Sequence, residues 1–302
     1  MTGSLGTPVS RIKVTGLKSY DEMAVRVLDP TEYDKLEKEL EAALPVSLCA
    51  YNHLKLLRRG KLTDKTVLVD TWPEFTSVVI VDSKKKETTG WAISFCKDSN
   101  FCQPLENLLR HASTLLTSPL VIAGCTKYVI DSLIELYKSA ESSPIQSGED
   151  NAYVFTFPPD NIFPLKVPDG FKLSELQEAH VENIRNSWPY RDEFEQIANL
   201  RQWIRYHIET LPTVCVEAED GRPVAWEFQQ EYGGVGMLHV EPEYRRLKLG
   251  SVVTRTLAEK LVKEGQLVFA CVDVKNETSV TFHENNGYIR LPLIYSFAVY
   301  NL

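Results

Sequence analysis

The chain has 302 residues, of which 43% are hydrophobic and 25% are charged, and its formal net charge at pH 7 is −8. This composition is ordinary for a globular protein with one large or two average domains. The acidic balance argues against a broad nucleic-acid surface, which needs clustered Lys and Arg. No apolar run approaches the ~20 residues that a membrane-spanning helix requires. We therefore expect neither nucleic acid nor a membrane as a partner.

The six cysteines form no CxxC pair and no zinc-like pairing with histidine; they are Cys49, Cys96, Cys102, Cys125, Cys215 and Cys271. Several lie in apolar runs, where buried thiols behave as small hydrophobic groups. This usage predicts a reduced intracellular protein, of the cytoplasm or the mitochondrion, with no metal site. Residues 1–22 lack the apolar core of a secretory signal and are predicted to be a flexible tail.

The first half of the chain predicts a helix that Thr31 would cap and Pro45 would end. Strands are predicted at residues 66–70, 77–81 and 91–95, and helices at residues 105–116 and 125–140. Residues 139–150 have the Ser, Pro, Glu and Gly content of a linker, and a strand at residues 153–157 is predicted to end this half. We expect an N-terminal lobe at residues 23–160.

The second half alternates between helical and strand patterns, which predicts an α/β layer structure. Helices are expected at residues 174–188 and 194–208, followed by a hairpin of strands at residues 212–218 and 224–230. A strand at residues 237–240, a helix after Gly250, a strand at residues 268–274 and a helix after Asn276 complete the order. We expect a C-terminal lobe at residues 161–302.

The turn between the strand at residues 237–240 and the next helix has the features of an anion site. A helix that begins after such a turn presents free backbone N–H groups, and its dipole favours negative charge. The residues concerned are Arg245, Arg246, Lys248, Leu249, Gly250 and Ser251. They predict a pyrophosphate-binding loop; the other interpretation is an ordinary strand-to-helix connection with solvated basic side chains.

This region resembles the coenzyme A-binding core of the GNAT superfamily of N-acyltransferases. The superfamily pattern is Arg/Gln-x-x-Gly-x-Gly/Ala, which Arg245 and Gly250 match, whereas Lys248 stands where the middle glycine is usual. Further segments resemble the glycine N-acyltransferase-like family; they are Val-Asp-Thr-Trp-Pro-Glu-Phe from residue 69, residues 173–188, residues 212–226, residues 242–245 and residues 272–277. The resemblance implies tandem GNAT-like lobes of α/β class, each a mixed, mainly antiparallel sheet flanked by helices.

The resemblance also implies roles for residues around the loop. Asn276 and Ser279 would hold the cofactor, and His283 occupies the position of a tyrosine that protonates the departing thiolate. The backbone at Leu238, His239 and Val240 would bind the cofactor and polarise the thioester carbonyl. For Asn276 the alternative is a helix N-cap, and for His283 it is a solvent-facing helix residue.

A general base is harder to place, because the expected positions are Gly234 and Gly236 and a carboxylate of the family aligns near Gly234. Glu231 is nearest the expected place and is the predicted base. His239, Glu227 and Asp273 are alternatives, and each carboxylate also fits an exposed strand-end residue.

We therefore expect an N-acyltransferase that moves an acyl group from acyl-coenzyme A to a small amine, plausibly glycine or another amino acid. Arg185, Arg191 and Arg201 are candidates to bind a substrate carboxylate, although a solvated helix face is the preferred interpretation for at least two of them. The alternatives are a catalytically degenerate acyl-coenzyme A-binding scaffold and a protein N-acetyltransferase.

Overall fold

The computed structural model describes residues 25–84, 90–100, 102–116, 119–140, 142–146, 150–161, 165–196 and 198–301. The predicted tail at residues 1–22 lies outside the described residues, as does part of the predicted linker. The described chain forms two seven-stranded sheets with helices against them, and each sheet contains one parallel strand pair among antiparallel ones. The predicted fold class is therefore confirmed.

The first sheet has the strand order β1-β2-β3-β4-β5-β14-β6. Its strands are β1 (Arg26–Val27), β2 (Lys65–Val69), β3 (Ser77–Asp82), β4 (Gly90–Cys96), β5 (Leu120–Ala123), β6 (Ile145–Gln146) and β14 (Ala298–Tyr300). The accompanying helices are α1 (Tyr33–Ala42), α2 (Leu48–Arg58), α3 (Gln103–Leu116) and α4 (Lys127–Glu135). Strands β2 to β4 are almost entirely buried, so this sheet is covered on both faces.

The second sheet has the strand order β13-β7-β12-β11-β10-β9-β8. Its strands are β7 (Asn151–Phe157), β8 (Phe171–Ser174), β9 (Thr213–Ala218), β10 (Pro223–Gln229), β11 (Val235–Val240), β12 (Val268–Asp273) and β13 (Ile289–Ser296). The helices of this part are α5 (Val181–Ser187), α6 (Arg191–Phe194), α7 (Leu200–Thr210), α8 (Leu249–Lys263) and α9 (Glu277–Asn285). No helix in the described part of the chain combines the length and apolar composition needed to cross a bilayer.

Each sheet contains one strand that the predicted boundary at residue 160 assigns to the other lobe. Strand β7 precedes residue 160 but pairs with β12 and β13 in the second sheet. Strand β14 ends the described chain and pairs with β5 and β6 in the first sheet. The segment at residues 153–157 is a strand as predicted, yet its partners belong to the second sheet. The lobe boundary at residue 160 stays a prediction.

One hydrophobic core joins the two sheets. It contains residues of α1, α2 and β2 to β4 together with residues of α5, α7, β10 and β12, among them Cys49, Ile93, Trp203, Trp226 and Phe269. Separate cores lie under α3 and α4 on the first sheet and under α8 on the second. Because the shared core is continuous, the position of the second sheet depends on helix α2 of the first.

A buried polar network crosses the same interface. The ammonium group of Lys65 on β2 contacts Asp82 Oδ1 at 2.8 Å and also bonds to the carboxylate of Glu231, and the three side chains are 1%, 3% and 5% exposed. His53 Nδ1 donates to the carbonyl oxygen of Glu231 at 2.6 Å, and Asn52 Nδ2 donates to the carbonyl of Gly233 at 3.3 Å. The turn between β10 and β11 is therefore fixed by side chains of the first half.

Candidate functional site

Strands β11 and β12 separate along most of their length. They are parallel neighbours, but the pairing is confined to Val235 and Ala270. Met237 has a φ of +58°, and the register between β10 and β11 shifts between Trp226 and Phe228. A bulge of this kind adds an unpaired residue and bends the strand. We call the resulting gap beyond Val235 the β11–β12 cleft.

The backbone of β11 directs two N–H groups into the β11–β12 cleft. The N–H of Glu241 bonds to the carbonyl of Val224 on β10 at 2.9 Å. Because successive N–H groups of an extended strand point to opposite edges, those of Leu238 and Val240 point away from β10, towards the cleft. Arg245 Nε donates to the carbonyl of Val240 at 3.1 Å and so fixes the far end of this edge. This edge carries the backbone donors that the sequence analysis assigned to the thioester carbonyl.

The N-terminus of α8 lies beside the β11–β12 cleft and has no side-chain cap. Lys248 is the N-cap residue, and the first intrahelical bond runs from the Val252 N–H to its carbonyl at 3.0 Å. The N–H groups of Leu249, Gly250 and Ser251 therefore lack intrahelical acceptors. A Cβ at Gly250 would lie 3.2 Å from Val240 and 3.3 Å from Phe282, so glycine lets the helix approach β11 and α9 closely.

The loop before α8 adopts left-handed backbone conformations at two non-glycine residues. Arg246 has a φ of +68° and Lys248 a φ of +62°. In L-residues this region costs roughly 1–2 kcal/mol, which explains why a glycine suits the position of Lys248. The turn nevertheless forms with lysine there, and the side chains of Arg245, Arg246 and Lys248 are exposed. The basic charge therefore surrounds an intact helix N-terminus.

Helix α9 approaches the same site from the other side. Asn276 caps it, since its Oδ1 accepts from the Ser279 N–H at 3.0 Å. The capping alternative for Asn276 is thus confirmed. The Nδ2 group of the same side chain can still donate a hydrogen bond to another group. The N-terminal turn of α9, together with Tyr190 and Asp273, also lines a separate surface pocket of ≈440 Å³. Tyr190 OH lies 3.4 Å from Asp273 Oδ2.

His283 lies inside the second sheet's helical layer, not at the solvent-facing surface. Its ring is 4% exposed and contacts the rings of Phe155 and Tyr288, with centroids 5.6 and 5.0 Å away. Its Nδ1 is 2.8 Å from the carbonyl of Ser279, so Nδ1 carries a proton and donates it. Burial lowers the pKa of His283, partly offset by this bond. At neutral pH Nε2 therefore carries a lone pair, and an acid role requires a second proton.

The structure places the candidate bases in different surroundings. The carboxylate of Glu231 is held by Lys65 at the interface of the sheets, so it becomes a base only if that ion pair opens. A Cβ at Gly234 would lie 2.5 Å from Tyr232 and 3.0 Å from Phe269, so aromatic rings fill the space next to that position. The role of Glu231 stays a prediction.

Glu227 is buried on the face of β10 that helix α8 covers. It is 1% exposed, and neither carboxylate oxygen has a hydrogen-bond partner. Burial raises the pKa of Glu227 to about 8, with a smaller opposing effect of the Thr254 hydroxyl. The alternative of an exposed strand-end carboxylate is therefore wrong for Glu227, because the residue sits in the centre of a covered sheet. At pH 7 its carboxyl group is mostly protonated.

The three arginines proposed for a substrate carboxylate all have acidic neighbours. Arg185 binds Glu195 through two nitrogens, at 2.6 and 2.9 Å. Arg191 Nε is 2.8 Å from Asp192, and Arg201 Nε is 2.7 Å from Glu182. These pairs lie on helix surfaces, as the alternative interpretation expected.

His239 occupies a position that the sequence analysis treated mainly as backbone. Its ring stacks on Trp226 of β10, with centroids 4.6 Å apart, on the face of the sheet opposite α8. Its Nε2 lies 3.6 Å from Glu241 Oε2. The alternation of side chains along β11 predicts that His239 and Val240 face opposite sides of the sheet. The register with Trp226 and the proximity of Glu241 are known only from the fold.

A mixed sheet whose central parallel strands part next to an uncapped helix N-terminus defines the GNAT class of acyltransferases. Comparison with known proteins agrees. The family described as aralkyl acyl-CoA:amino acid N-acyltransferase matches residues 25–212, and the family described as FR47-like protein matches residues 214–295. The chain belongs to the first of these families and is an acyl-CoA-dependent N-acyltransferase of the glycine N-acyltransferase-like group.

Individual relatives are similar over nearly the whole chain. Glycine N-acyltransferase of Homo sapiens is 25% identical over 285 residues, which span 85% of this chain and 92% of that protein. An X-ray structure of a Drosophila protein superposes with a TM-score of 0.72 at 17% identity, over 91% of this chain and 98% of that one. A tandem GNAT protein from the clavulanic acid biosynthesis pathway superposes with a TM-score of 0.50 at 11% identity, over 91% and 97%.

Proposed function

We propose that the protein transfers an acyl group from acyl-coenzyme A to the amine of a small acceptor, such as glycine or another amino acid. The observation that carries the proposal is the free N-terminus of α8 beside the β11–β12 cleft. The helix N-terminus suits a pyrophosphate, and the cleft suits the thioester arm that follows it. The similarity to human glycine N-acyltransferase supports glycine as the first acceptor to test.

The proposed cofactor contacts follow the path from the loop to the β11–β12 cleft. The pyrophosphate would contact the N–H groups of α8 and the basic side chains of the loop. The thioester arm would pass between β11 and α9. The residues assigned to these contacts are Leu238, His239, Val240, Arg245, Arg246, Lys248, Leu249, Gly250, Ser251, Asn276 and Ser279.

The proposed reaction is direct attack of the amine on the thioester carbon. The N–H groups of Leu238 and Val240 would stabilise the developing oxyanion, because preorganised donors act strongly away from bulk water. His283, in its doubly protonated form, would supply the proton to the departing thiolate. Glu231, the base predicted from the sequence, would accept a proton from the amine only if its ion pair with Lys65 opened.

Binding and turnover together test the proposal. Calorimetric titration should show coenzyme A binding, and Lys248→Ala should weaken it about five- to tenfold because one charge contact to phosphate is lost. Lys172→Ala, on the exposed edge strand β8, is the matched control and should leave the affinity unchanged. Absence of binding by the unaltered protein would contradict the cofactor site.

Thiol release with a panel of amines then tests the acceptor. Release from acyl-coenzyme A that depends on glycine or another amino acid is expected. Release that depends only on a peptide amine would contradict the small-molecule assignment. We also propose an intracellular location, in the cytoplasm or the mitochondrion, because all six cysteines are free thiols and five of them are buried.

A further inference from the structure

The attacking amine needs a proton acceptor, and the position where the family carries a carboxylate is closed here. Gly234 has no side chain, and Tyr232 and Phe269 occupy the adjoining space. The carboxylate of Glu231 is engaged by Lys65, and Glu227 lies on the α8 face of the sheet. While the Lys65–Glu231 ion pair is closed, we look to a group elsewhere on the rim of the β11–β12 cleft to take the proton.

His239 is on that rim and its ring is held in place. It belongs to β11, where the strand borders the cleft, and it stacks on Trp226 at an interplanar angle of 23°. The side chain is 20% exposed, so the ring is accessible without being fully solvated. The stacking partner belongs to the shared core, which makes the ring position rigid.

The two ring nitrogens of His239 face different surroundings. Nε2 is buried without a hydrogen-bond partner and lies 3.6 Å from Glu241 Oε2. That distance is longer than a hydrogen bond but within the range of an ion pair. The carboxylate favours a proton on Nε2, which leaves the lone pair of the neutral ring on Nδ1. Nδ1 is the nitrogen that remains to meet an acceptor amine.

We propose that His239, oriented by Glu241, is the general base of the reaction. This inference rests on the proposed function and assigns the proton acceptor that the reaction needs. Nδ1 of His239 takes one proton from the substrate ammonium group, and the freed nitrogen lone pair forms the bond to the thioester carbon. The carbon–sulfur bond then breaks, the sulfur leaves with the electron pair, and it takes a proton from doubly protonated His283 to become the free thiol. The nitrogen loses its second proton to water and becomes the amide. His283 regains a proton from solvent, and His239 releases its proton to solvent.

The charges around His239 suit this role. Burial lowers the pKa of His239, the Glu241 carboxylate opposes that effect, and Arg245 adds to it. The ring is therefore neutral near pH 7 and able to accept a proton. Once it does so, the Nε2–H of the imidazolium faces the Glu241 carboxylate. Glu241 is thus a positioning residue, and His239 is the catalytic residue.

The pH dependence of kcat/KM in variants tests the inference. His239→Gln should lower kcat/KM about 100-fold, the usual contribution of a general base, and should remove the rise in rate on the acidic side of the profile. Coenzyme A affinity should stay within about twofold, because the cofactor contact proposed for residue 239 is made by its backbone, which the substitution keeps. His111→Gln on α3 and Glu243→Gln on the exposed turn are the matched controls and should retain the profile of the unaltered enzyme.

Glu241→Gln separates orientation from a structural role. It should move the acidic limb to lower pH and lower the plateau a few-fold, because the carboxylate that favours the imidazolium is lost. An NMR titration of the His239 ring should show the same downward movement of its pKa, independently of turnover. An active enzyme in which His239→Gln keeps the acidic limb would overturn this inference and leave the proposed function intact. An unaltered enzyme without turnover on any amine would overturn both.

Discussion

The buried carboxyl group of Glu227 makes the stability of the protein depend on pH in a calculable way. Burial raises the pKa of Glu227 from 4.5 to about 8. The folded protein then holds a proton that the unfolded chain releases above pH 4.5, so stability is fully present below that pH and falls as pH rises to about 8. At ~1.36 kcal/mol per pKa unit, the loss is about 5 kcal/mol in total and about 3 kcal/mol at pH 7.

Glu227→Gln removes this dependence, because glutamine has nearly the shape of the protonated side chain and does not ionise. The free energy of unfolding of the variant, relative to the unaltered protein, should rise by about 3 kcal/mol between pH 4.5 and pH 7 and level off above pH 8. Urea unfolding followed by tryptophan fluorescence at several pH values measures it. Glu219→Gln, at an exposed position in the turn that follows β9, is the control.

The reasoning fails if the difference in unfolding free energy between Glu227→Gln and the unaltered protein is constant across that pH range. A constant difference would mean that Glu227 ionises at the same pH in both states. It would then have a partner for its charge, contrary to the two unbonded oxygens of the structure.

Three further changes have defined outcomes. Lys248→Gly should be about 1 kcal/mol more stable in urea unfolding than Lys248→Ala. Both variants lose the charge, but only glycine removes the backbone strain of a φ of +62°. Equal stability of the two variants would argue against the left-handed turn. Glu231→Gln should lose about 3 kcal/mol or more of unfolding free energy, because the buried Lys65 then loses the charge of one of its two carboxylates. An unchanged urea midpoint of unfolding together with lost turnover would instead favour the role of Glu231 as base. His283→Ala should lower kcat while the Kd for coenzyme A stays within about twofold, and unchanged kcat at saturating substrates would remove His283 from the mechanism.

The periodicity of hydrophobic residues predicted those helices and strands that bury a single face. Helix α3 and the strands around the loop lie where expected, because their patterns reflect a single buried face. The helix predicted at residues 174–188 was wrong in its first part: residues 171–174 form the edge strand β8, which pairs with β9, and α5 begins at Val181. The cap predicted at Thr31 was also wrong, since Asp29 accepts the bond from Thr31 N–H. A one-turn difference of this kind depends on which side chain reaches the backbone first.

Helix α2 and strand β14 escaped prediction for a different reason. Eight residues of α2 are buried, so its pattern is nearly continuous and lacks the polar face that marks an amphipathic helix. Strand β14 has three residues and gains its partners from β5 and β6, far away in the sequence. Both elements owe their form to long-range contacts, which a single sequence does not display.

The same limit explains why the loop was predictable and the base was not. The anion site follows from a strand, a turn and a helix that are adjacent in the chain. The surroundings of Glu231 depend on Lys65, which is 166 residues away, and those of His239 depend on a register with Trp226. Local chemistry therefore predicted the strand, turn and helix that we propose for cofactor binding, whereas the residues that we propose for proton transfer depend on the tertiary fold.

The position of the β11–β12 cleft itself depends on the first half of the chain. Gly233 has a φ of +89°, and a Cβ there would lie 2.5 Å from the Cβ of Asn52 on α2. The turn that leads into β11 is therefore pressed against α2, and His53 bonds to the backbone of the same turn. A shift of α2 would move the start of β11 and with it the N–H groups of the cleft. The first half thus contributes to the site through contact with this turn, although the residues proposed for catalysis all lie in the second half.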